Sequence, residues 1–269
     1  CEIHGIKTFN GAKADDVILK TASVIINTKS PLASVFDDVI IGKQAILPEV
    51  DDIVYEDRLG TTGWIYRKKI LVGTRDLLIH HGIPVLKEDF EKKYTRKGRK
   101  VLYLAEAGKL MAMFVVSYSA DPQLKKALRK LEKSGMTILV RSADPFINDE
   151  SIAELFELPD GYIRVMNSSN GRAFEKYSNL FAQKSPAYIV HNGSALGLVS
   201  AFSAAEDLQE TRKLISVLIS FGSALGLGVV GLLAFVGGID QLDAIKVALF
   251  QAAWCIFVNL LAKIKSLFM

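Results

Sequence analysis

The feature that most constrains this chain is a run of 26 residues, 214–239, that contains no charged side chain. A helix needs about 20 apolar residues to cross a bilayer, and this run exceeds that length. Its glycines are typical of membrane helices, where small side chains let neighbouring helices approach closely. A second apolar run, 245–262, follows a short polar turn. The pattern predicts a transmembrane hairpin over residues 213–263, with a buried helical hairpin of a soluble protein as the alternative.

Basic residues lie at the two outer ends of this hairpin. Arg212 and Lys213 precede the first run, and Lys263 and Lys265 follow the second. Because positively charged flanks stay on the cytoplasmic side, both ends of the hairpin are expected in the cytoplasm. The sequence therefore predicts an integral membrane protein whose soluble domains are cytoplasmic and whose surroundings include the lipid bilayer.

Composition limits the other classes of protein and partner. The chain has 269 residues, a formal net charge of +4 and two cysteines, which cannot form a disulfide framework. Its basic run, 91–100, is interpreted as a solvated linker, and no nucleic-acid partner is expected. The sequence starts at Cys1 rather than Met, so we expect a fragment of a longer polypeptide whose upstream part is its partner; a lipid-modified exported protein is the alternative.

The residues before the hairpin show two different patterns. Residues 12–95 combine two amphipathic helices with short β-like segments around glycines and predict a small α+β domain. Residues 98–210 alternate between strand and helix patterns, which is typical of an α/β domain with a doubly wound parallel sheet.

The triplet Ser-Ala-Asp occurs twice in the second domain, at 119–121 and 142–144, each time after an apolar run. Ligands of doubly wound sheets bind outside the carboxyl ends of the strands, so both triplets are expected at that edge. Alternatively, the hydroxyl and carboxylate groups only cap the helices that follow.

Four stretches in order along the chain resemble the heavy-metal-type branch of the P-type cation-transporting ATPases. They are "SPLASVFDDVI", "LGTTGWIYRKKILVGTRDLLIHHGI", "VSYSADPQLKKALRKLEKSGMTILVRSAD" and "AYIVHNG". The closing hairpin is similar to the last two membrane helices of that family. The resemblance implies a nucleotide-binding-like domain at 12–95 and a haloacid-dehalogenase-like phosphorylation domain at 98–210.

The resemblance also implies a reaction, transfer of the ATP γ-phosphoryl group to an aspartate with the help of Mg²⁺, followed by hydrolysis. The nucleophile would belong to an Asp-Lys-Thr-Gly-Thr motif upstream of Cys1. Ser142 would supply the hydroxyl for the phosphoryl oxygens and Asp144 the carboxylate of a Thr-Gly-Asp loop. Lys176 is the candidate lysine by its distance along the chain, and Lys184 is the alternative.

Other positions correspond to the nucleotide site and the hinge of the family. The implied nucleotide-binding residues are Lys29, Ser30, Pro31, Gly60, Gly63 and Gly73, with Lys29 standing where the family has a histidine. Asp121 and Pro122 match its Asp-Pro hinge. The expected Mg²⁺ loop has lost its aspartates and retains Asn192 and Gly193, so no metal site is predicted with its full set of ligands.

The second apolar run carries Gln251, Cys255 and Asn259 at a spacing of four residues, which places them on one face of a helix. A polar stripe inside a membrane span indicates either a cation site or a hydrogen-bonded helix–helix contact.

Three functional hypotheses follow. The first is the carboxyl-terminal part of an ATP-driven heavy-metal pump, with impaired or lost phosphoryl transfer. The second is a catalytically inactive pseudo-ATPase that acts as a regulatory or scaffold membrane protein. A soluble-type phosphatase is the third, and the missing carboxylates and the hairpin both argue against it.

Overall fold

A computed structural model describes residues 1–28, 30–167, 170–174, 176, 189 and 192–267. The chain divides into two compact units, Cys1–Tyr188 and Ile189–Met269. Lys29, Lys184 and most of the strand predicted within "AYIVHNG" lie outside the described residues.

An antiparallel sheet of six strands, in the order β1-β6-β5-β4-β3-β2, forms the centre of the first unit. The strands are β1 Glu2–Thr8, β2 Asp51–Glu56, β3 Gly60–Ile65, β4 Lys68–Gly73, β5 Lys100–Glu106 and β6 Lys109–Ser117. Four helices accompany them: α1 Ala14–Ile26, α2 Pro31–Val39, α3 Arg75–His80 and α4 Glu88–Glu91.

Both faces of this sheet are buried, because successive side chains of a strand point to opposite faces. On one face Leu102 and Leu104 of β5 pack with α1 and α2. On the other face Val101, Tyr103 and Ala105 pack with α3. The result is an almost continuous apolar sequence in the central strands.

That burial explains one correction to the sequence analysis. Residues 100–117 belong to the segment assigned above to the parallel sheet by its strand–helix alternation, and continuous apolar strands are also typical of parallel sheets covered on both faces. They are instead the antiparallel pair β5 and β6, and β5 pairs directly with β4. The predicted boundary at 95–98 thus falls between two neighbouring strands of one sheet.

Tyr66 and Arg67 form the turn of the β3–β4 hairpin, with φ values of 49° and 61°. Positive φ at both central residues defines the type I′ turn that matches the twist of paired strands. Asn-Gly is the usual signal for this turn, so the sequence gives no hint of it here.

The parallel part of the first unit confirms the predicted strand–helix–strand alternation. Helix α5, Pro122–Glu132, leads to β7, Ile138–Arg141, and α6, Asp149–Phe156, joins β7 to β8, Ile163–Met166. β7 and β8 pair in parallel. A capping box between Asn148 and Ser151 starts α6, so the carboxyl end of β7 is separated from that helix by a seven-residue loop, 142–148.

The second unit contains two long apolar helices, α7 Ala195–Phe235 and α8 Ala244–Leu267. Both are long and apolar enough to cross a bilayer, and only 6% of the most apolar window of each is buried. A buried hairpin of a soluble protein would have these faces covered, so the exposed side chains favour a lipid environment.

Candidate functional site

The loop after β7 is organised by its own short polar side chains. Ser142 Oγ accepts a hydrogen bond from the backbone N–H of Asp144 at 3.1 Å. Asp144 Oδ1 accepts one from the backbone N–H of Phe146 at 3.0 Å. Serine and aspartate commonly bond to nearby backbone in this way, so the sequence after the strand specifies a compact turn. Neither side chain caps α6, because Asn148 has that role.

Asp144 is almost completely buried, with 4% of its surface exposed. The Tyr118 hydroxyl donates to both carboxylate oxygens, at distances of 2.9 and 2.8 Å. The backbone N–H of Leu32, in the first turn of α2, also donates to this carboxylate. Asp144 therefore joins three elements: the loop after β7, the end of β6 and the amino terminus of α2.

Burial dominates the protonation of this carboxyl group. It raises the pKa of Asp144 to about 6, although hydrogen bonds from Phe146, Tyr118 and Leu32 lower it. Burial and the adjacent carboxylate raise the pKa of Tyr118 as well, so its hydroxyl keeps its proton and acts as a donor. Tyr118 also packs edge-on against the ring of Phe146.

The residues around Asp144 do not fit the Mg²⁺ that the resemblance implies. Mg²⁺ prefers ionised, exposed oxygen ligands in octahedral geometry. Both Asp144 oxygens instead accept hydrogen bonds from protein donors, and the residue is only 4% exposed. Within the described part of the chain, no three His, Cys, Asp or Glu side chains are grouped to hold a metal ion.

The remnant of the Mg²⁺ loop lies in the second unit and forms a helix start. Asn192 Oδ1 accepts hydrogen bonds from the backbone N–H and the hydroxyl of Ser194, at 3.1 and 2.6 Å. Ser194 in turn caps α7 by accepting from Gly197. Gly193 supplies the left-handed conformation of this turn, with φ of 82°. The Asn192 oxygen is thus used within the cap.

Two predicted nucleotide-binding residues start α2. Ser30 is its N-cap, and its Oγ accepts from the backbone N–H of Ala33 at 3.3 Å and from the Thr28 hydroxyl at 2.8 Å. Pro31 occupies the first helical position, where a missing N–H has no cost. Ser30 and Asp144 border the same small cavity of about 10 Å³, which has room for about one water molecule.

The other described members of the predicted nucleotide-binding set are glycines at which the chain packs closely. They are Gly60, Gly63 and Gly73. Gly60 and Gly73 pair across β3 and β4. An added Cβ would lie 2.3 Å from the Val72 carbonyl oxygen at Gly60 and 2.2 Å from the Leu59 carbonyl oxygen at Gly73. At Gly63 it would lie 2.6 Å from the side chain of Val50. Protein atoms fill the space beside each glycine, and a nucleotide role for them stays a prediction.

The remaining predicted residues are dispersed. Asp121 caps α5 through hydrogen bonds from the backbone N–H groups of Gln123 and Leu124, and Pro122 is the first residue of that helix. Lys176 is exposed and does not border the cleft at the end of β7. Its catalytic role and the hinge role of Asp121 and Pro122 remain predictions.

In the membrane hairpin, Gln251 and Cys255 border a groove of about 810 Å³ between α7 and α8. Asn259 does not border it, and its Nδ2 donates to the Cys255 carbonyl oxygen of the same helix at 2.8 Å. Trp254 connects the two helices, because its indole N–H donates to the Leu218 carbonyl oxygen at 3.0 Å. The two interpretations of the polar stripe, a cation site and a helix–helix contact, both stay predictions.

A polar cleft of about 870 Å³ also borders the loop after β7. The loop itself, the end of β8, and β2 with the turn that follows it form its walls. Three arginines border it, Arg58, Arg141 and Arg172, together with Ser142. Sequence reasoning missed these arginines and Tyr118. Tyr118 precedes the first Ser-Ala-Asp directly, but only the fold brings its hydroxyl to the second triplet.

Comparison with known proteins gives a related sequence for most of the chain. No family model matches. "Copper-transporting ATPase 2" of Rhizobium meliloti (strain 1021) is 23% identical over 176 residues, which cover 65% of this chain. The chain resembles a heavy-metal P-type ATPase. The matched part spans 21% of the relative's length, and the resemblance is to the carboxyl-terminal portion of such ATPases, as the motifs predict.

Solved heavy-metal P-type ATPases are also among the structural neighbours. A zinc-transporting PIB-type ATPase in the E2.Pi state is 12% identical and aligns over 97% of this chain and 46% of its own, with a TM-score of 0.44. The N-domain of HMA8, a copper-transporting P-type ATPase, is 17% identical over 44% of this chain and 100% of its own, with a TM-score of 0.36.

Proposed function

We propose that this chain is the carboxyl-terminal part of a membrane protein related to ATP-driven heavy-metal transporters, and that its phosphoryl site has lost Mg²⁺-dependent transfer. The proposed role is that of a pseudo-ATPase, a regulatory or scaffold protein in the membrane. The similarity to a copper-transporting ATPase supports the relationship, and the chain matches about a fifth of that relative, so the rest of the polypeptide is its expected partner.

The observation that carries the loss of transfer is the environment of Asp144. A carboxylate that binds Mg²⁺ beside a phosphoryl group must direct an oxygen to the ion. Asp144 is buried, and its oxygens accept hydrogen bonds from Tyr118 and from backbone N–H groups rather than facing an ion. We infer that it braces the loop after β7 against β6 and α2.

Two further side chains to which the resemblance assigns a part in phosphoryl transfer support the same proposal. Asn192, where the family has a metal-binding loop, serves as a cap. Ser142 retains a hydroxyl that borders the open cleft and could donate to an anion there. Phosphoryl transfer also needs a nucleophile and ligands that hold Mg²⁺, and the Ser142 hydroxyl supplies neither.

The charges at the hairpin ends support a cytoplasmic location for the soluble unit. Arg212 and Lys213 lie within α7, before its apolar part, and Lys263 and Lys265 lie near the end of α8. Lys265 also pairs with Glu210 at 3.3 Å, so the two ends of the hairpin meet at their charged parts. These charges support a cytoplasmic position for both ends, because positively charged flanks stay on that side of the membrane.

Incubation of the full-length polypeptide with γ-labelled ATP and Mg²⁺, followed by acid quench, tests the proposal. We expect no acid-stable, hydroxylamine-sensitive phosphoenzyme in the native protein, because the metal is not held. A phosphoenzyme that forms in the native protein and disappears in Asp144→Asn would show that Asp144 takes part in transfer, and the proposal would fail. A working P-type ATPase in the same vesicles provides the positive control.

A further inference from the structure

The segment 92–100, here called the basic turn, connects α4 to β5 and is attached to the core of the first unit. Tyr94 packs against Phe90 with ring centroids 5.3 Å apart, and both rings lie against the apolar cluster on the α3 face of the sheet. The backbone N–H groups of Tyr94 and Thr95 donate to the Glu91 carbonyl oxygen, at 2.8 and 3.2 Å. The segment interpreted above as a solvated linker is therefore a turn that the domain holds in place.

Positive charge is concentrated around this turn. Residues 87–100 carry seven basic and three acidic side chains, a net charge of +4 that equals the formal net charge of the whole chain. The three carboxylates belong to α4, and two of them form ion pairs: Glu91 with Arg75 at 2.8 Å, and Asp89 with Lys92 at 3.6 Å. The third carboxylate also interacts with Arg75. The acidic helix therefore does not neutralise the rest of the turn.

Five cations of the basic turn have no ion-pair partner among the described residues, and all but one of them are exposed. They are Lys93, Arg96, Lys97, Arg99 and Lys100. A further cation, Lys7 of β1, lies over the Phe90 ring at 4.5 Å from its centroid and extends the positive surface beyond the turn. Like charges that lie close together repel one another, so an external anionic surface would stabilise this arrangement.

The chemistry of the basic turn favours a lipid surface over a protein or a nucleic acid. Protein interfaces are built around buried aromatic or aliphatic anchors and are depleted in lysine. Tyr94 is the only aromatic or aliphatic side chain of the turn, and it packs with Phe90 against the core. For the same reason the turn lacks a free ring on which the base of a single-stranded nucleic acid could stack. What the turn offers is distributed positive charge, which a surface of anionic headgroups matches.

We propose that the basic turn binds the headgroups of anionic lipids and gives the first unit an electrostatic contact with the membrane in addition to the hairpin. The same chain carries two helices long and apolar enough to cross a bilayer, so the first unit is covalently tied to a lipid surface. Tethering makes docking an intramolecular step, for which a contact of modest intrinsic affinity suffices. The anionic lipids of the cytoplasmic leaflet attract such basic segments. The inference rests on the membrane location within the proposed function but not on the loss of phosphoryl transfer.

Energy transfer from the basic turn to labelled headgroups tests this contact in the full chain. The chain is reconstituted in nanodiscs of neutral phosphatidylcholine, or of the same lipid mixed with anionic phosphatidylglycerol, with an acceptor dye on a small fraction of the headgroups. The donor dye is attached at Thr95→Cys after Cys1 and Cys255 are replaced by serine. We expect more transfer in anionic than in neutral discs at low salt. The difference should vanish at high salt, because the Debye length falls to about 3 Å at 1 M.

A triple variant that combines Lys93→Gln, Arg96→Gln and Lys97→Gln removes three of the exposed cations. Each Lys or Arg near an anionic surface contributes about a fivefold factor to binding, so the equilibrium constant for docking should fall about a hundredfold. Transfer in anionic discs should then equal transfer in neutral discs. The matched control removes three exposed lysines outside the basic turn that have no ion-pair partner among the described residues. These are Lys43→Gln, Lys126→Gln and Lys133→Gln.

A last arm replaces sodium chloride by sodium phosphate at equal ionic strength, and we expect the same transfer in both salts. Four results would overturn the proposal: equal transfer in neutral and anionic discs, transfer that does not respond to salt, a turn variant that docks like the control variant, or specific release by phosphate. Release by phosphate would assign the turn to a free phosphorylated ligand instead. The proposed loss of phosphoryl transfer is decided separately, by phosphoenzyme formation.

Discussion

Replacing Gly222 by leucine should lower the stability of the membrane hairpin by about 2–4 kcal/mol, from overpacking and from the loss of one interhelix hydrogen bond. A Cβ at Gly222 would lie 2.1 Å from Trp254 Nε1 and 2.5 Å from two further atoms of the indole. The Trp254 ring lies close to Phe221, Phe250 and Phe257, and its N–H is bonded to the Leu218 carbonyl, so it has little freedom to move.

Gly228→Leu is the matched control, because a Cβ at Gly228 in the same helix meets nothing within 4 Å. Thermal melts in detergent, followed by Trp254 fluorescence in a Trp64→Phe background, measure the difference. We expect a clear drop in the melting temperature for Gly222→Leu and little change for Gly228→Leu. Equal melting temperatures for the two variants would mean that the Gly222–Trp254 contact does not hold the helices together.

Replacing Gly73 by alanine should destabilise the first unit by about 3 kcal/mol or more, because the clash is with backbone and cannot be relieved by rotation of a side chain. The added Cβ would lie 2.2 Å from the Leu59 carbonyl oxygen and 2.8 Å from Gly60 Cα. β3 and β4 would have to separate at their paired ends, and Leu77, 2.7 Å from the same Cβ, would lose its place in the core.

Gly5→Ala in β1 provides the control, since a Cβ there meets nothing within 4 Å. Pulse proteolysis in increasing urea measures the stability of the soluble unit in both variants. Gly73→Ala should be cleaved at much lower urea than the parent chain, and Gly5→Ala at nearly the same concentration. A Gly73→Ala protein as resistant as the parent would exclude the close approach of β3 and β4.

Much of the fold could be predicted because local residues determine it. The two apolar runs become parts of α7 and α8, Ser30 with Pro31 starts α2, and Asp121 with Pro122 starts α5. Each of these depends on residues close in sequence, through apolar length or capping. The antiparallel hairpin around Gly108 has the same local origin.

The candidate site could not be predicted to the same extent because distant residues form it. The Tyr118 hydroxyl reaches a carboxylate 26 residues away, and β1 pairs with β6 across more than 100 residues. No spacing in the sequence links Arg58 to Arg172. Resemblance to a family points to Ser142 and Asp144, but their burial and hydrogen bonds decide what they can do.

The pH dependence of stability tests the central claim, that Asp144 is a buried structural carboxyl. Its pKa is raised from 3.8 to about 6 in the folded chain. Between about pH 4 and pH 6 the unfolded state loses this proton while the folded state keeps it, so stability falls as pH rises. A shift of this size corresponds to about 3 kcal/mol, fully lost above about pH 7.

The measurement is the urea midpoint of the parent chain and of Asp144→Asn from pH 4 to pH 8, with and without Mg²⁺. We predict that the stability of the parent relative to Asp144→Asn decreases by about 2.4 kcal/mol over this range, and that Mg²⁺ changes nothing. A relative stability that is constant with pH would show that folding does not raise the pKa of Asp144. A relative stability that rises with pH and increases further with Mg²⁺ would identify an ionised, metal-binding Asp144. Either result would contradict the account.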